Sequence, residues 1–284
     1  MPPRSTPTAR QERLGIELRK MREAAAMTAR DAARLLGVDP AKVSHIESGR
    51  VGVSEERVRR LATFYSCGDT ALVDALSAMT YEQRGEGWWE AYRGTLPAQF
   101  LDIAEMEYHA AYLRSIDITH IPGIFQTEDY ARAVFGYTIP PLPQTELDAR
   151  IAHRMERRTI FERDAPPIQE AIIHEAALRM RFGGRKVARA QLEYLREQCD
   201  LPNVTVRVVL FESEGYTGAS RAMLYAGGRV PKLDTVQIEA ALGATFLHAE
   251  SHLESYRTIF TTVEATALSD TESRDFIHTA AKQL

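Results

Sequence analysis

Cysteine is scarce: the 284 residues hold two, Cys67 and Cys199. That excludes a disulfide framework, and two thiols alone cannot make a zinc site. No apolar run approaches the roughly 18–20 residues needed to cross a bilayer. The opening residues, MPPRSTPTAR, contain no apolar stretch of the kind that heads a secretory signal. The expectation is a cytoplasmic chain with no membrane partner. Catalytic strings are missing too, with neither G-x-G-x-x-G nor G-x-S-x-G present. The nearest approach to a metal motif is His248-Ala249-Glu250-Ser251-His252, whose glutamate stands at the wrong place for H-E-x-x-H. No enzyme, metal or cofactor is expected.

Charge of one sign is not in large excess, since 35 Lys/Arg face 39 Asp/Glu for a net of −4. Its distribution is informative. Residues 1–66 carry 13 Lys/Arg against 8 Asp/Glu, and the remainder is acidic. A basic end on an acidic body fits a nucleic-acid module carrying other cargo. The length suggests two domains. The expected layout is a disordered basic arm at 1–9, an all-helical domain at 10–80, and a larger mixed domain at 81–284. The fold class is α+β: five helices in a helix-turn-helix domain, then a mixed α/β domain.

The helical reading rests on spacing and punctuation. Leu14, Leu18, Met21 and Ala25 recur at helical intervals over Glu12–Ala26. Thr28 and Asp31 begin a second helix, and Gly37 ends it. Asp39 and Pro40 open a third that Gly49 ends. Ser54 opens a fourth, and a fifth runs from about Asp69 to Met79. The second and third helices are joined by Gly37-Val38-Asp39, with Ala32, Leu36, Val43 and Ile46 placed to bury between them. That leaves Ala41, Lys42, Ser44, His45 and Ser48 on the outside.

The string Val43-Ser44-His45-Ile46-Glu47-Ser48-Gly49-Arg50 resembles the V-S-x-I/L-E-x-G-R/K signature of the Cro/C1-type (XRE-like) helix-turn-helix family. The resemblance implies double-stranded DNA as partner, with the third helix entering the major groove. It makes Lys42, Ser44 and His45 the groove-facing side chains. Arg22, Thr28, Arg30 and Arg50 would lie near phosphates, and Glu47 would pair locally. Positions where relatives carry base-reading glutamines hold Ala29, Pro40 and Ala41, so bidentate amide readout is lost.

Beyond Tyr81 the pattern alternates. Apolar runs at Tyr112–Ile118, Ile168–His174, Val204–Phe211, Ala222–Ala226 and Val236–Leu242 predict strands. Helical patterns lie at Thr127–Phe135, Thr145–Glu162, Val187–Gln198, Ala249–Ala265 and Thr271–Lys282. Glu107-Tyr108-His109-Ala110, and then Ile121-Pro122-Gly123-Ile124-Phe125-Gln126-Thr127-Glu128-Asp129-Tyr130-Ala131-Arg132-Ala133, resemble the "E-x-x-A … V-P-G-L-L-Q-T-x-x-Y-A-R-A" hallmark of the actinobacterial, antitoxin-like DUF5753-type regulators. Arg154-Met155-Glu156-Arg157-Arg158 and His174-Glu175-Ala176-Ala177-Leu178-Arg179 match further.

The resemblance implies a DNA-binding transcriptional regulator, homodimeric and nucleoid-associated. Its larger domain would sense a small molecule or a small partner protein encoded nearby. The alternative is an antitoxin-like module that neutralises that partner and regulates its own operon. The hallmark itself reads as a packed strand-turn-helix corner or as a pocket wall. Trp88, Trp89 and Tyr92 form an aromatic cluster that serves packing or a ligand. With Gln126, Tyr130 and Tyr216 (the last in the loop Glu212–Arg221) they are the candidates for an effector or partner pocket.

Overall fold

The computed structural model describes residues 7–80, 87–214, 216, 222–240 and 243–284. The chain divides into two compact units, Met1–Ala91 with Val230–Leu233, and Tyr92–Arg229 with Asp234–Leu284. Most of the expected boundary at 79–86, and most of the 1–9 arm, lie outside the described residues.

The first unit contains α1 (Ala9–Ala24), α2 (Ala29–Leu36), α3 (Pro40–Glu47), α4 (Glu55–Phe64) and α5 (Thr70–Ala78). The first helix starts earlier than its apolar spacing suggests. Thr8 accepts from Gln11 N–H while Gln11 bonds back to Thr8 N–H, a reciprocal cap that fixes the start at Ala9. Gly37, at φ 64°, ends α2 in the left-handed region that glycine tolerates best. Leu18, Ala32, Val43, Ile46, Val58 and Leu76 join in one buried core.

The second unit is a six-stranded sheet between helical layers. Its strands are β1 (Tyr112–Asp117), β2 (Ile168–His174), β3 (Val204–Val209), β4 (Met223–Gly227), β5 (Thr235–Ala240) and β6 (Gly243–Leu247). Their order is β3-β2-β1-β4-β5-β6. β1, β2 and β3 are parallel, with Leu113 opposite Gln169 and Ala171 opposite Val206. β4, β5 and β6 add on antiparallel. The helices are α6 (Ala98–His109), α7 (Glu128–Gly136), α8 (Gln144–Glu156), α9 (Glu175–Arg179), α10 (Gly184–Gln198), α11 (Glu250–Glu264) and α12 (Asp270–Gln283).

Side chains alternate across the sheet. Leu113, Ala171, Ile173 and Val206 face one core with Leu192 and Leu195 of α10 and Ile277 of α12. Ile116, Ile172 and Tyr225 face the other with Leu253 and Phe260 of α11. Both faces of the sheet are therefore covered by helices. The described residues include two elements that the sequence reading did not separate. α6 has Pro97 at its N-cap and no side-chain cap. β6 pairs with β5, Ala240 opposite Gly243, and lies beyond the expected strand Val236–Leu242. His248 lies before α11, so it does not share that helix with His252.

Candidate nucleic-acid interface and a buried polar cavity

The recognition helix is held from behind by α1. A Cβ on Gly15 would lie 2.5 Å from the Glu47 carbonyl oxygen, so only glycine lets α1 come this close to the end of α3. A Cβ on Gly49, at φ 72°, would lie 2.8 Å from the Gln11 carbonyl. Arg22 reaches across from α1 and donates to both oxygens of Glu47, Nε to Oε1 at 2.6 Å and Nη2 to Oε2 at 2.9 Å, and Nη1 donates to the Met27 carbonyl at 2.8 Å. Planar bidentate pairing of this kind fixes orientation as well as charge. The hydrogen bonds and charge of Glu47 hold Arg22 above its usual pKa against partial burial. Tyr65 beside the pair is pushed up to about 12, chiefly by burial.

This geometry moves Arg22 off the expected DNA face. Its guanidinium is mostly buried and committed, with 11 % of the side chain exposed. Thr28 is exposed, but its hydroxyl donates to Asp31 Oδ2 at 2.6 Å and accepts from Asp31 N–H, so it serves first as the cap of α2. Asp39 accepts from Lys42 N–H at 2.8 Å and places a carboxylate at the start of α3. The helix N-termini thus spend donors internally that a bare terminus would offer to phosphate.

The remaining candidates do share a surface. Ser44 is exposed and Lys42 and His45 partly so, while Val43 and Ile46 on the opposite side are buried. The hydroxyl of Ser44 donates back to the Pro40 carbonyl at 3.2 Å. Arg30 and Arg50 are exposed as well. Among the described residues neither Arg30 nor Lys42 forms an ion pair, so their charges are uncommitted.

The aromatic candidates fall in different units and have different local partners. Trp88 and Trp89 pack edge to face, 5.8 Å apart, in the first unit. In the second, Tyr92 donates to Glu156 Oε2 at 2.9 Å and meets the His153 ring at 5.1 Å. The Tyr216 ring lies tilted against His174, 5.0 Å between centres; residue 215 and residues 217–221 of its loop lie outside the described residues. Gln126 and Tyr130 are fully buried and hold Ile121 from two sides. Gln126 Nε2 donates to the Ile121 carbonyl at 2.7 Å, and the Tyr130 hydroxyl accepts from Ile121 N–H at 3.4 Å. These two stand behind a wall rather than lining a pocket.

The wall they support belongs to a small polar cavity of about 100 Å³. Pro122, Gly123 and Ile124 form one side of it, and Asp117, Gln169 and Glu239 of the sheet another. Arg154 of α8 and Arg157 just after it close the space against α6. Arg157 is paired with Glu107 through two bonds of 2.7 and 2.5 Å. Arg154 Nη1 donates to Gln126 Oε1 at 2.7 Å, and its guanidinium lies 4.1 Å from the Phe135 ring centre. Burial and the neighbouring Arg157 charge bring Arg154 down to about 9, so it remains a cation at neutral pH. Burial, with the Glu239 charge nearby, lifts Asp117 to about 7.

Sequence reasoning missed these residues as a site. The signal was there: a carboxylate and an amide inside strands buried on both faces, and two arginines three apart on one helical side.

A short helix locked from behind, with polar and basic side chains exposed in front, defines the first unit as a DNA-binding regulator module of the helix-turn-helix class. The helix-turn-helix domain family matches residues 13–76. A family described as a domain of unknown function, DUF5753, matches residues 100–279, and the chain belongs to that family. No curated protein and no solved structure matches it. No helix among the described residues is long and apolar enough to cross a membrane.

Proposed function

We propose that the protein is a sequence-specific transcriptional regulator that binds DNA as a homodimer, with its larger domain tuning DNA binding in response to a small molecule. The observation that carries the DNA reading is α3 itself. Its buried side is fixed through Gly15 and the Arg22–Glu47 pair, and its outer face presents Lys42, Ser44 and His45. A rigid helix can place side chains against base edges reproducibly, while Arg30 and Arg50 are exposed where phosphates would flank it. Arg22 is assigned to positioning that helix, not to DNA.

Dimerisation follows from the module's geometry, because one short helix reads few bases and paired helices read half-sites about one turn apart. The effector reading rests on the polar cavity of the second unit, which lies against the hallmark turn. The test is a mobility shift at fixed salt with DNA from upstream of the protein's own gene. The full chain should retain its preference over random DNA, and Lys42→Ala with His45→Ala should abolish that preference while leaving weak general binding. No preference by the wild type overturns the reading.

A further inference from the structure

The polar cavity is lined by groups whose hydrogen bonding is incomplete: Gln126 takes one N–H of Arg154 and Ser115 serves Asp117, yet other atoms of both are left over. Arg154 Nε, Asp117 Oδ2 and Gln169 Oε1 are sealed from solvent and have no hydrogen-bond partner among the described residues. Buried polar atoms left without partners are costly, and in native proteins a water or ligand supplies what is missing. The three come from α8, β1 and β2, far apart in sequence, and face one space.

That space lies along β1. The chain passes from β1 outward to β2 and β3, then returns past β1 to β4. The space therefore lies where parallel and antiparallel halves of the sheet meet, with β1 and β2 on one side and β4 and β5 on the other. Gly123 leaves room there. A Cβ at this position would stand 3.2 Å from Arg157 Nη1 and 3.5 Å from Arg154 Nε, within the space a ligand oxygen would use.

Charge decides what fits. Arg157 is already neutralised by Glu107. Arg154 offers an N–H donor and a positive charge, and Gln126 holds it in place. Asp117, Gln169 and Glu239 offer acceptors on the sheet side, and Glu239 is exposed, so the cavity opens to solvent there. A plain anion would meet Asp117 and Glu239, and a plain cation would meet Arg154. A molecule with a carboxylate at one end and an ammonium at the other satisfies both. About 100 Å³ holds roughly three waters, or one molecule of very few heavy atoms.

The geometry points to a site for a small zwitterion of the α-amino-acid class, its carboxylate on Arg154 Nε beside Gly123 and its ammonium toward Asp117 and Gln169. This deepens the effector reading above and rests on it only for the consequence at DNA. The test uses the full chain with glycine, L-alanine and L-serine, against acetate and methylammonium as half-ligands, followed by calorimetry and by thermal melting.

The small amino acids should bind and raise the melting temperature by a few degrees at millimolar concentration, and neither half-ligand should do so. Gly123→Val, which fills the cradle, should weaken binding at least tenfold. Asp117→Asn, close in shape, should lose the preference for glycine over acetate. Binding of acetate as tight as that of glycine would overturn the proposal in favour of a simple anion site. Absence of any heat or shift with all three amino acids would overturn it in favour of a hydrated cavity. DNA affinity measured alongside separates the two claims. Amino-acid binding with unchanged DNA affinity supports the site and removes the effector reading, whereas no binding with intact DNA preference removes the site alone.

Discussion

Removing the carboxylate of Glu47 tests how the recognition helix is held. In Glu47→Ala, Arg22 keeps the Met27 carbonyl and a looser ion pair with Glu23 at 3.8 Å for a guanidinium that is 11 % exposed. Breaking one side of a fully buried pair costs about 3–5 kcal/mol; slight exposure lets Arg22 recover some hydration, so about 2–4 kcal/mol is expected. For a helical unit of this size each kcal/mol moves the melting temperature by about 4–8 °C, so a fall of about 8–32 °C follows. Hydrogen exchange on the full chain should place the loss in α1 and α3. The double variant Arg22→Met with Glu47→Leu removes both charges and should recover to within about 1 kcal/mol of wild type. It should also keep DNA affinity within about threefold, because Arg22 positions the helix instead of holding phosphate. A lost phosphate contact would instead reduce the salt slope of binding by about one. A cost below about 0.5 kcal/mol in Glu47→Ala, or a double variant as unstable as the single one, would refute the reasoning.

Gly15→Ala drives a methyl into the Glu47 carbonyl 2.5 Å away. It should cost about 1–3 kcal/mol in chemical denaturation and weaken specific DNA binding more than general binding. Glu107→Gln leaves Arg157 without its counter-charge in a site where the side chains are 7 % and 2 % exposed; a loss of about 3–5 kcal/mol should appear in urea melts. Asp117 binds its proton more tightly folded than unfolded, at about 7 against an ordinary 3.8, so its contribution to stability falls as pH rises from about 4 to 7. Asp117→Asn should abolish that fall, and a pH series of melts on both proteins reads the difference. His153, held down to about 3 mainly by burial, acts oppositely, and its contribution is lost as pH falls below about 6.5. His153→Gln should reduce the acid sensitivity in the same series.

The helical unit was legible because its information is local. Caps at Thr28, Asp39 and Ser54 and the turn at Gly37 lie within a few residues of what they terminate. The start of α1 was misplaced by three residues because a glutamine, not a glutamate, completes the Thr8 cap. Most strands were legible from their apolar residues, but β6 was not, because the expected strand Val236–Leu242 stops before it. The role of Arg22 was not legible, since its partner stands 25 residues away and becomes a neighbour only through the close approach at Gly15. The cavity was hidden for the same reason, because β1, β2, β5 and α8 each contribute one or two side chains. Aromatic residues drew attention instead, and Tyr130 and Trp89 proved to be packed in their own units. In the hallmark Gln126 and Tyr130 brace a corner, and Pro122 and Gly123 line the cavity.

The central claim is that α3 reads DNA through Lys42, Ser44 and His45. It is tested most directly by fluorescence anisotropy of the full chain on its own upstream DNA and on random DNA of equal length, across a salt series. Wild type should favour the upstream site by at least about a thousandfold at physiological salt. His45→Ala should lose roughly 1–3 kcal/mol on that site and almost nothing on random DNA, while Arg30→Ala should weaken both alike and lower the salt slope by about one. Equal affinity of the wild type for both DNAs, or equal loss on both for His45→Ala, would contradict the account.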